Sequence, residues 1–143
     1  MPYRHADDGP SSDATIEAWG ETLAELCEAA WRAALEVMLA DVAQLEHETS
    51  VEIELSAPDA EQLLFQLLEE LLFYKDAENL LVSLERPEIR TDEDGYRLQG
   101  RAFGARIDSE RHLLGTDVKA VTFHQFRVEE RDEGWFTRVV LDT

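Results

Sequence analysis

Asp13-Ala-Thr-Ile-Glu-Ala-Trp-Gly20, followed by Thr22-Leu-Ala-Glu25, is the stretch that decides the fold. In the first part, small and apolar residues alternate with polar or larger ones, which predicts a strand over 13–19 that ends at Gly20. The second part is a capping-box pattern, which begins a helix by satisfying its first backbone N–H groups. Apolar residues then recur at helical spacing to about Leu39, with Trp31 at the border of the apolar face. A strand therefore leads directly into an amphipathic helix.

A second strand and helix follow. Val51-Glu-Ile-Glu-Leu55 alternates cleanly and predicts a strand with one buried face. Pro58 suits the first turn of the next helix, which is predicted to end near Tyr74. The predicted buried stripe of this helix consists of Leu63, Leu64, Leu67, Leu68, Leu71 and Leu72. A stripe of this width has to pack against a sheet or another helix.

The rest of the chain is predicted to be β-structure, apart from the first twelve residues, which are predicted to form a loop. Asp94-Gly95 is a hairpin signal between strands at about 88–91 and 96–103. The other predicted strands are 80–85, 118–124, 126–130 and 135–141. We therefore predict one α+β domain over residues 1–143, with a strand-helix-strand module and two helices on one face of a mostly antiparallel mixed sheet.

The charge of the chain limits its partners. Its 143 residues include 13 basic and 32 acidic ones, which gives a net charge of −19. Such a surface repels phosphate backbones, so direct nucleic-acid binding is disfavoured. It favours a basic protein partner or divalent cations, or serves solubility alone. The single cysteine, Cys27, and the lack of a long apolar segment or a charged leader predict a cytoplasmic protein outside the membrane.

Two residues near the C-terminus are candidates for chemistry. Lys119 lies in an apolar predicted strand, where it either protects a sheet edge from aggregation or serves a function. Asp142 and the last residue could supply hard oxygen ligands to a cation, or bind a basic group of a partner. His124, beside two phenylalanines, is expected to be structural. The other histidines lack zinc-type spacing, and the glycines form no phosphate-binding loop.

Segments along nearly the whole chain together resemble the archease family. The most specific match is Val118-Lys-Ala-Val-Thr-Phe-His124 with Gly134-Trp135 and an aspartate next to the end. The centre of the second helix, Glu69-Glu70-Leu71-Leu72, and the opening strand-helix stretch are also similar. The family commonly begins this stretch with His-Thr-Ala-Asp. Here the aspartate is Asp13, and Pro10 stands in place of the histidine.

The resemblance implies a function without catalysis by the chain itself. Archeases activate the GTP-dependent RNA ligase of tRNA splicing and RNA repair, by promoting guanylylation of the ligase and multiple turnover. The family's metal-binding positions correspond to Asp13, Asp142 and Thr143, and the lysine of its Lys-Ala-Val-Thr signature corresponds to Lys119. The expected cofactor is a divalent cation, calcium in the first place, with magnesium or manganese as alternatives.

Two other functions stay open on the sequence. An acidic chaperone or adaptor would bind basic partners without a metal. A small hydrolase would use His124 together with Asp142.

Overall fold

The computed structural model describes residues 2–6 and 13–143, and within them nine main elements follow one another. In chain order they are β1 Tyr3–Ala6, β2 Asp13–Gly20, α1 Leu23–Met38, β3 Thr49–Ala57, α2 Ala60–Glu78, β4 Leu80–Asp92, β5 Gly95–Arg106, β6 Ala120–Arg131 and β7 Gly134–Asp142. A short 3-10 turn, Val42–Gln44, lies between α1 and β3.

The strands form two antiparallel sheets. The order is β1-β2-β7-β6 in the four-stranded sheet and β3-β5-β4 in the three-stranded sheet. The α+β class with two helices is confirmed, whereas the strands, predicted as one mixed sheet, divide into two. Helix α1 packs against β2 of one sheet and β4 of the other, so it lies in the core between them.

Helix α1 begins as predicted. The Glu25 N–H donates to Thr22 Oγ1 at 3.1 Å, and the Thr22 N–H donates to Glu25 Oε2 at 3.2 Å. Trp31, in the middle of the helix, is fully buried and its Nε1–H donates to the Val82 carbonyl of β4 at 2.8 Å. The same burial raises the pKa of the Cys27 thiol to about 12, so this cysteine is an apolar core residue.

Helix α2 buries all six predicted leucines, but its predicted ends are wrong. Asp59 is the N-cap and accepts a hydrogen bond from the Gln62 N–H at 2.8 Å, so Pro58 lies before the helix. The helix continues to Glu78 and ends at Asn79, which adopts the left-handed conformation with φ 55°. The prediction stopped at Tyr74 because the next residue, Lys75, does not resemble a buried residue, although it is only 8% exposed.

Two strands contain bulges that the sequence did not predict. The β4–β5 register shifts between Glu85 and Glu88, and β4 passes through a proline there. The β6–β7 register shifts between Thr122 and Arg127, and Gln125 within this bulge has φ 58°. Both bulges join segments that were predicted as separate strands.

The first residues also differ from the prediction. Tyr3–Ala6 was predicted as loop, but it forms β1 and pairs antiparallel with β2. The remainder of the predicted loop, 7–12, lies outside the described residues. No helix in the described part of the chain is long and apolar enough to cross a membrane.

Candidate functional site

The register of the four-stranded sheet places the two predicted aspartates side by side. Asp13 at the start of β2 is the direct cross-strand partner of Asp142 at the end of β7. Directly opposite residues project from the same face, with Cβ atoms about 5 Å apart. On the other side of Asp142, its β6 partner is Ala120, whose methyl side chain leaves space beside the carboxylate. Three strand ends therefore form a small acidic site.

The electrostatics of this pair favour a cation. Like charges directly opposite each other on a sheet are destabilising. Within the described residues neither Asp13 nor Asp142 forms a salt bridge, and Asp142 is exposed. Carboxylate oxygens are the donors that Ca²⁺ and Mg²⁺ prefer, so the residues present fit such an ion.

Two carboxylates alone make an incomplete metal site. In residues 2–6 and 13–143, no three His, Cys, Asp or Glu side chains are grouped closely enough to hold a metal ion. Thr143, which follows Asp142 directly, has oxygen atoms that could supply a third ligand. Further ligands would have to come from backbone, water or a partner, which is usual for hard cations at an accessible site.

Lys119 lies beside this acidic site but not where it was predicted. It precedes β6 rather than lying within the strand, and its side chain is exposed. Its backbone N–H donates to the Asp142 carbonyl at 2.7 Å. The structure therefore brings Lys119 next to the pair through its main chain, and leaves its ammonium group accessible to a partner.

A buried lysine fixes this segment. Lys75 of α2 places its Nζ 2.7 Å from an Asp117 carboxylate oxygen and 2.7 Å from one of Asp76. Burial works against its charge, but the hydrogen bonds that Lys75 donates to the carboxylates of Asp117 and Asp76 outweigh burial and raise the pKa of Lys75. Val118, which lies between Asp117 and Lys119 in the sequence, is fully buried. Residues 117–119 are thus held by an ion pair, a core contact and a backbone hydrogen bond.

Lys75→Met is expected to lower the free energy of unfolding by about 1 kcal/mol near pH 8, since it removes two charge-assisted hydrogen bonds whose acidic partners are well solvated. The folded-state pKa of Lys75 is raised, so its contribution is complete below its ordinary pKa of 10.5 and is lost as pH rises through the folded-state value. Urea unfolding of both proteins should show a difference at pH 8 that shrinks at strongly alkaline pH. Lys119→Met is the matched control, and equal loss from both substitutions would contradict this role of Lys75.

Neither His112 nor His124 is a direct partner of this acidic pair. His112 is 5% exposed; its Nδ1 accepts from the Asp108 N–H at 3.0 Å, so Nε2–H donates to Glu46 at 2.7 Å. This hydrogen bond is the main reason that the pKa of Glu46 is lowered. His124 was expected to be a packed or hydrogen-bonded structural residue; it is not packed, because it is exposed in the β6 bulge. It is not the cross-strand partner of Asp142, which pairs with Ala120.

The fold and this acidic site define a small α+β protein with a candidate cation-binding site. The family model described as the Archease protein family matches residues 3–143. "Protein archease" of Thermococcus gammatolerans is 37% identical over 133 residues, which cover 92% of this chain and 93% of that protein. "Protein archease" of Pyrococcus furiosus is 34% identical with the same coverage. The solution structure of Methanobacterium thermoautotrophicum protein 1598 is 34% identical, covers 99% of both chains and superimposes with a TM-score of 0.85.

The chain belongs to the archease family. This family consists of protein cofactors rather than enzymes, in agreement with the sequence-based expectation. The matches over nearly the full length of both chains agree with the α+β fold.

Sequence reasoning missed two parts of this region. The first is the buried Lys75 ion pair; its signal was a lysine directly after the aromatic end of a leucine stripe. The second is a group of phenylalanines beside the acidic site, on α2 and β6. Their signal was that Phe65 interrupts the spacing of the leucines without belonging to the stripe.

Proposed function

We propose that this protein activates a GTP-dependent RNA ligase of the tRNA-splicing type, as a metal-binding protein cofactor in the cytoplasm. It would promote guanylylation of the ligase histidine and so permit multiple turnover. Family membership supports the activator role. The observation that carries the metal-dependent part is the direct pairing of Asp13 with Asp142, two carboxylates with no salt-bridge partner in the described residues. The lone, buried Cys27 is consistent with a reducing compartment.

The acidic site would serve nucleotide transfer through the cation that it binds. A divalent cation, when bound, would offset the negative charge that accumulates on the phosphates. Asp13, Asp142 and an oxygen of Thr143 would hold one side of the ion. Calcium accepts six to eight oxygen ligands, so the remaining positions would stay open to the ligase or its nucleotide. Magnesium and manganese use similar oxygen donors and are the alternatives.

Lys119 has a complementary role in this proposal. Its main chain is fixed to Asp142, while its side chain is exposed. A cation in this position suits a phosphate or a carboxylate in the ligase active site. Lys119 would therefore contact the partner, and the two aspartates would hold the ion.

A multiple-turnover ligation assay with substoichiometric protein tests the proposal. The wild-type protein should convert a single turnover of the ligase into many, and removal of residues 142–143 should abolish this effect. Asp132→Ala, an exposed acid in the β6–β7 turn, is the control for loss of one negative charge. Calcium binding by calorimetry should be lost in the truncated protein and kept in the control.

Two results would contradict the proposal in different ways. No stimulation by the wild-type protein would exclude the activator role. Equal stimulation by the truncated protein would exclude the metal-centred mechanism and favour the acidic adaptor, whose binding depends on net charge and falls steeply with salt.

A further inference from the structure

Three phenylalanines form an aromatic cluster between α2 and β6, which we call the phenylalanine patch: Phe65 and Phe126, which are half-buried, and Phe123, which is exposed. The rings of Phe65 and Phe123 are stacked, with centroids 4.1 Å apart and planes 5° apart. Phe126 contacts both rings edge to face, at 5.6 Å from Phe65 and 6.2 Å from Phe123. Phe123 is nevertheless 72% exposed. The patch therefore presents the ring of Phe123 to solvent, packed against two half-buried rings.

The core accounts for only part of this patch, since Phe126 packs against the core whereas Phe123 is exposed. The six leucines of α2 are all buried, so the helix is anchored without Phe65. Phe73, about two turns further along α2, is also 53% exposed. Aromatic rings held in place by one another lose little conformational freedom on binding, and such rings are the typical anchors of protein interfaces.

The bulge in β6 presents Phe123. Between Thr122 and Arg127 the strand leaves its register with β7, and Gln125 adopts a positive φ that non-glycine residues rarely have. A bulge alone protects an exposed edge strand from pairing. That protection is compatible with charged side chains, and it gives no reason for a phenylalanine that is 72% exposed. The bulge therefore has a second consequence, which is to place an apolar ring in solvent.

The position of the patch connects it with the acidic site. Ala120, the partner of Asp142, lies three residues before Phe123, roughly 10 Å along the strand, and this odd spacing places the two side chains on opposite faces of a regular strand. Glu61 and Glu69 lie one turn before and after Phe65 on α2, and both are exposed. The patch is thus an apolar centre bordered by carboxylates on a chain of net charge −19. A complementary surface would offer an apolar pocket with lysine and arginine around it.

We propose that the phenylalanine patch docks the partner protein, by inserting Phe123 into an apolar pocket with a basic rim. This inference rests on the proposed function, in which the partner is the RNA ligase. Because β6 is an edge strand, a ligase docked at the patch would reach both of its faces and would meet the neighbouring Asp13–Asp142 pair with its nucleotide site. Affinity would come from the patch, and activation from the aspartates and Lys119.

Separate measurements of binding and of activation test whether the patch supplies affinity while the aspartates and Lys119 supply activation. Phe123→Ala should raise the dissociation constant for the purified ligase at least about tenfold, since central aromatic anchors dominate interface affinity. At saturating protein its maximal ligase turnover should equal that of the wild type. Leu113→Ala is the matched control, because Leu113 is 74% exposed, and its affinity should stay within about twofold. A Phe123→Asp variant should bind still more weakly, and thermal melts check that all variants fold.

Each outcome distinguishes this inference from the proposed function. If the wild-type protein activates the ligase and Phe123→Ala binds as tightly as the wild type, the patch is not the docking surface although the function holds. If the wild-type protein binds through Phe123 but activates nothing, the docking surface holds and the function is wrong. If sedimentation shows a wild-type dimer that Phe123→Ala converts to a monomer, a second copy of the chain covers the patch and the proposal is overturned.

Discussion

Asp142→Asn is expected to raise the free energy of unfolding without divalent cations, and to abolish the increase that added cation produces. Asp13 and Asp142 are direct cross-strand partners, so neutralising one removes a like-charge repulsion of about 0.2–1 kcal/mol. The wild-type protein, in contrast, should gain about 2.7 kcal/mol when the ion is present at a hundred times its dissociation constant. One substitution should thus stabilise the ion-free protein and remove the stabilisation that the ion produces. Urea unfolding with chelator and with calcium measures both effects.

The matched variants make this prediction specific. Asp13→Asn should behave like Asp142→Asn, and the double variant should gain little more than either alone, because removing one charge already ends the repulsion. Asp132→Asn, in the exposed turn, should change neither quantity. In the ligase assay both site variants should lower multiple turnover at least about tenfold, as expected for loss of a group that stabilises charge on the phosphates. Lower ion-free stability in Asp142→Asn, or an equal gain with calcium, would contradict the cation site.

The parts of the fold that could be predicted are those with local physical causes. The capping box at Thr22 and Glu25 and the leucine stripe of α2 are confirmed. The hairpin predicted from Asp94-Gly95 is confirmed as well: β4 and β5 pair antiparallel, and Gly95 at the start of β5 adopts φ 125°. Each of these signals depends on residues a few positions apart. These local preferences agree with the tertiary structure, so the folded protein keeps them.

The parts that could not be predicted depend on distant contacts. Alternation shows that a strand has a buried face, but it does not show which strand is its neighbour, so the division into two sheets was hidden. Strand β1 has four residues and becomes a strand only by pairing with β2. The last turn of α2 depends on Lys75, which is buried because Asp117, 42 positions away, supplies its counter-charge. Residue type alone argues against burial of a lysine.

The candidate site likewise combines features that could be predicted with features that depend on distant contacts. The sequence placed Asp13 and Asp142 at opposite ends of the chain, and only resemblance to archeases suggested that they act together. The register of β2 and β7 makes them neighbours, which is a necessary condition for a shared ion. The position of Lys119 outside β6 could not be inferred, because Val118 extends the apolar pattern although it belongs to the core contact before the strand.

Trp31→Ala is expected to lower the free energy of unfolding by about 3–5 kcal/mol, the largest loss that we predict for a single side chain. Trp31 is fully buried in the core, and its indole N–H donates to the Val82 carbonyl at 2.8 Å. It therefore joins α1 to the three-stranded sheet, while the same helix also packs against β2. Loss of the ring leaves a cavity where the two sheets meet and an unpaired carbonyl.

A graded series separates these two causes. Trp31→Phe keeps most of the apolar surface and loses the hydrogen bond, so it should cost about 1–3 kcal/mol. Trp19→Ala, at a tryptophan that is 41% exposed, is the control and should cost clearly less than Trp31→Ala. Urea unfolding gives all three values. Helix α1 supports the strand that carries Asp13, so Trp31→Ala should also weaken calcium binding, whereas Trp19→Ala should not. Equal losses from the two alanine variants would mean that α1 does not hold the sheets together through Trp31.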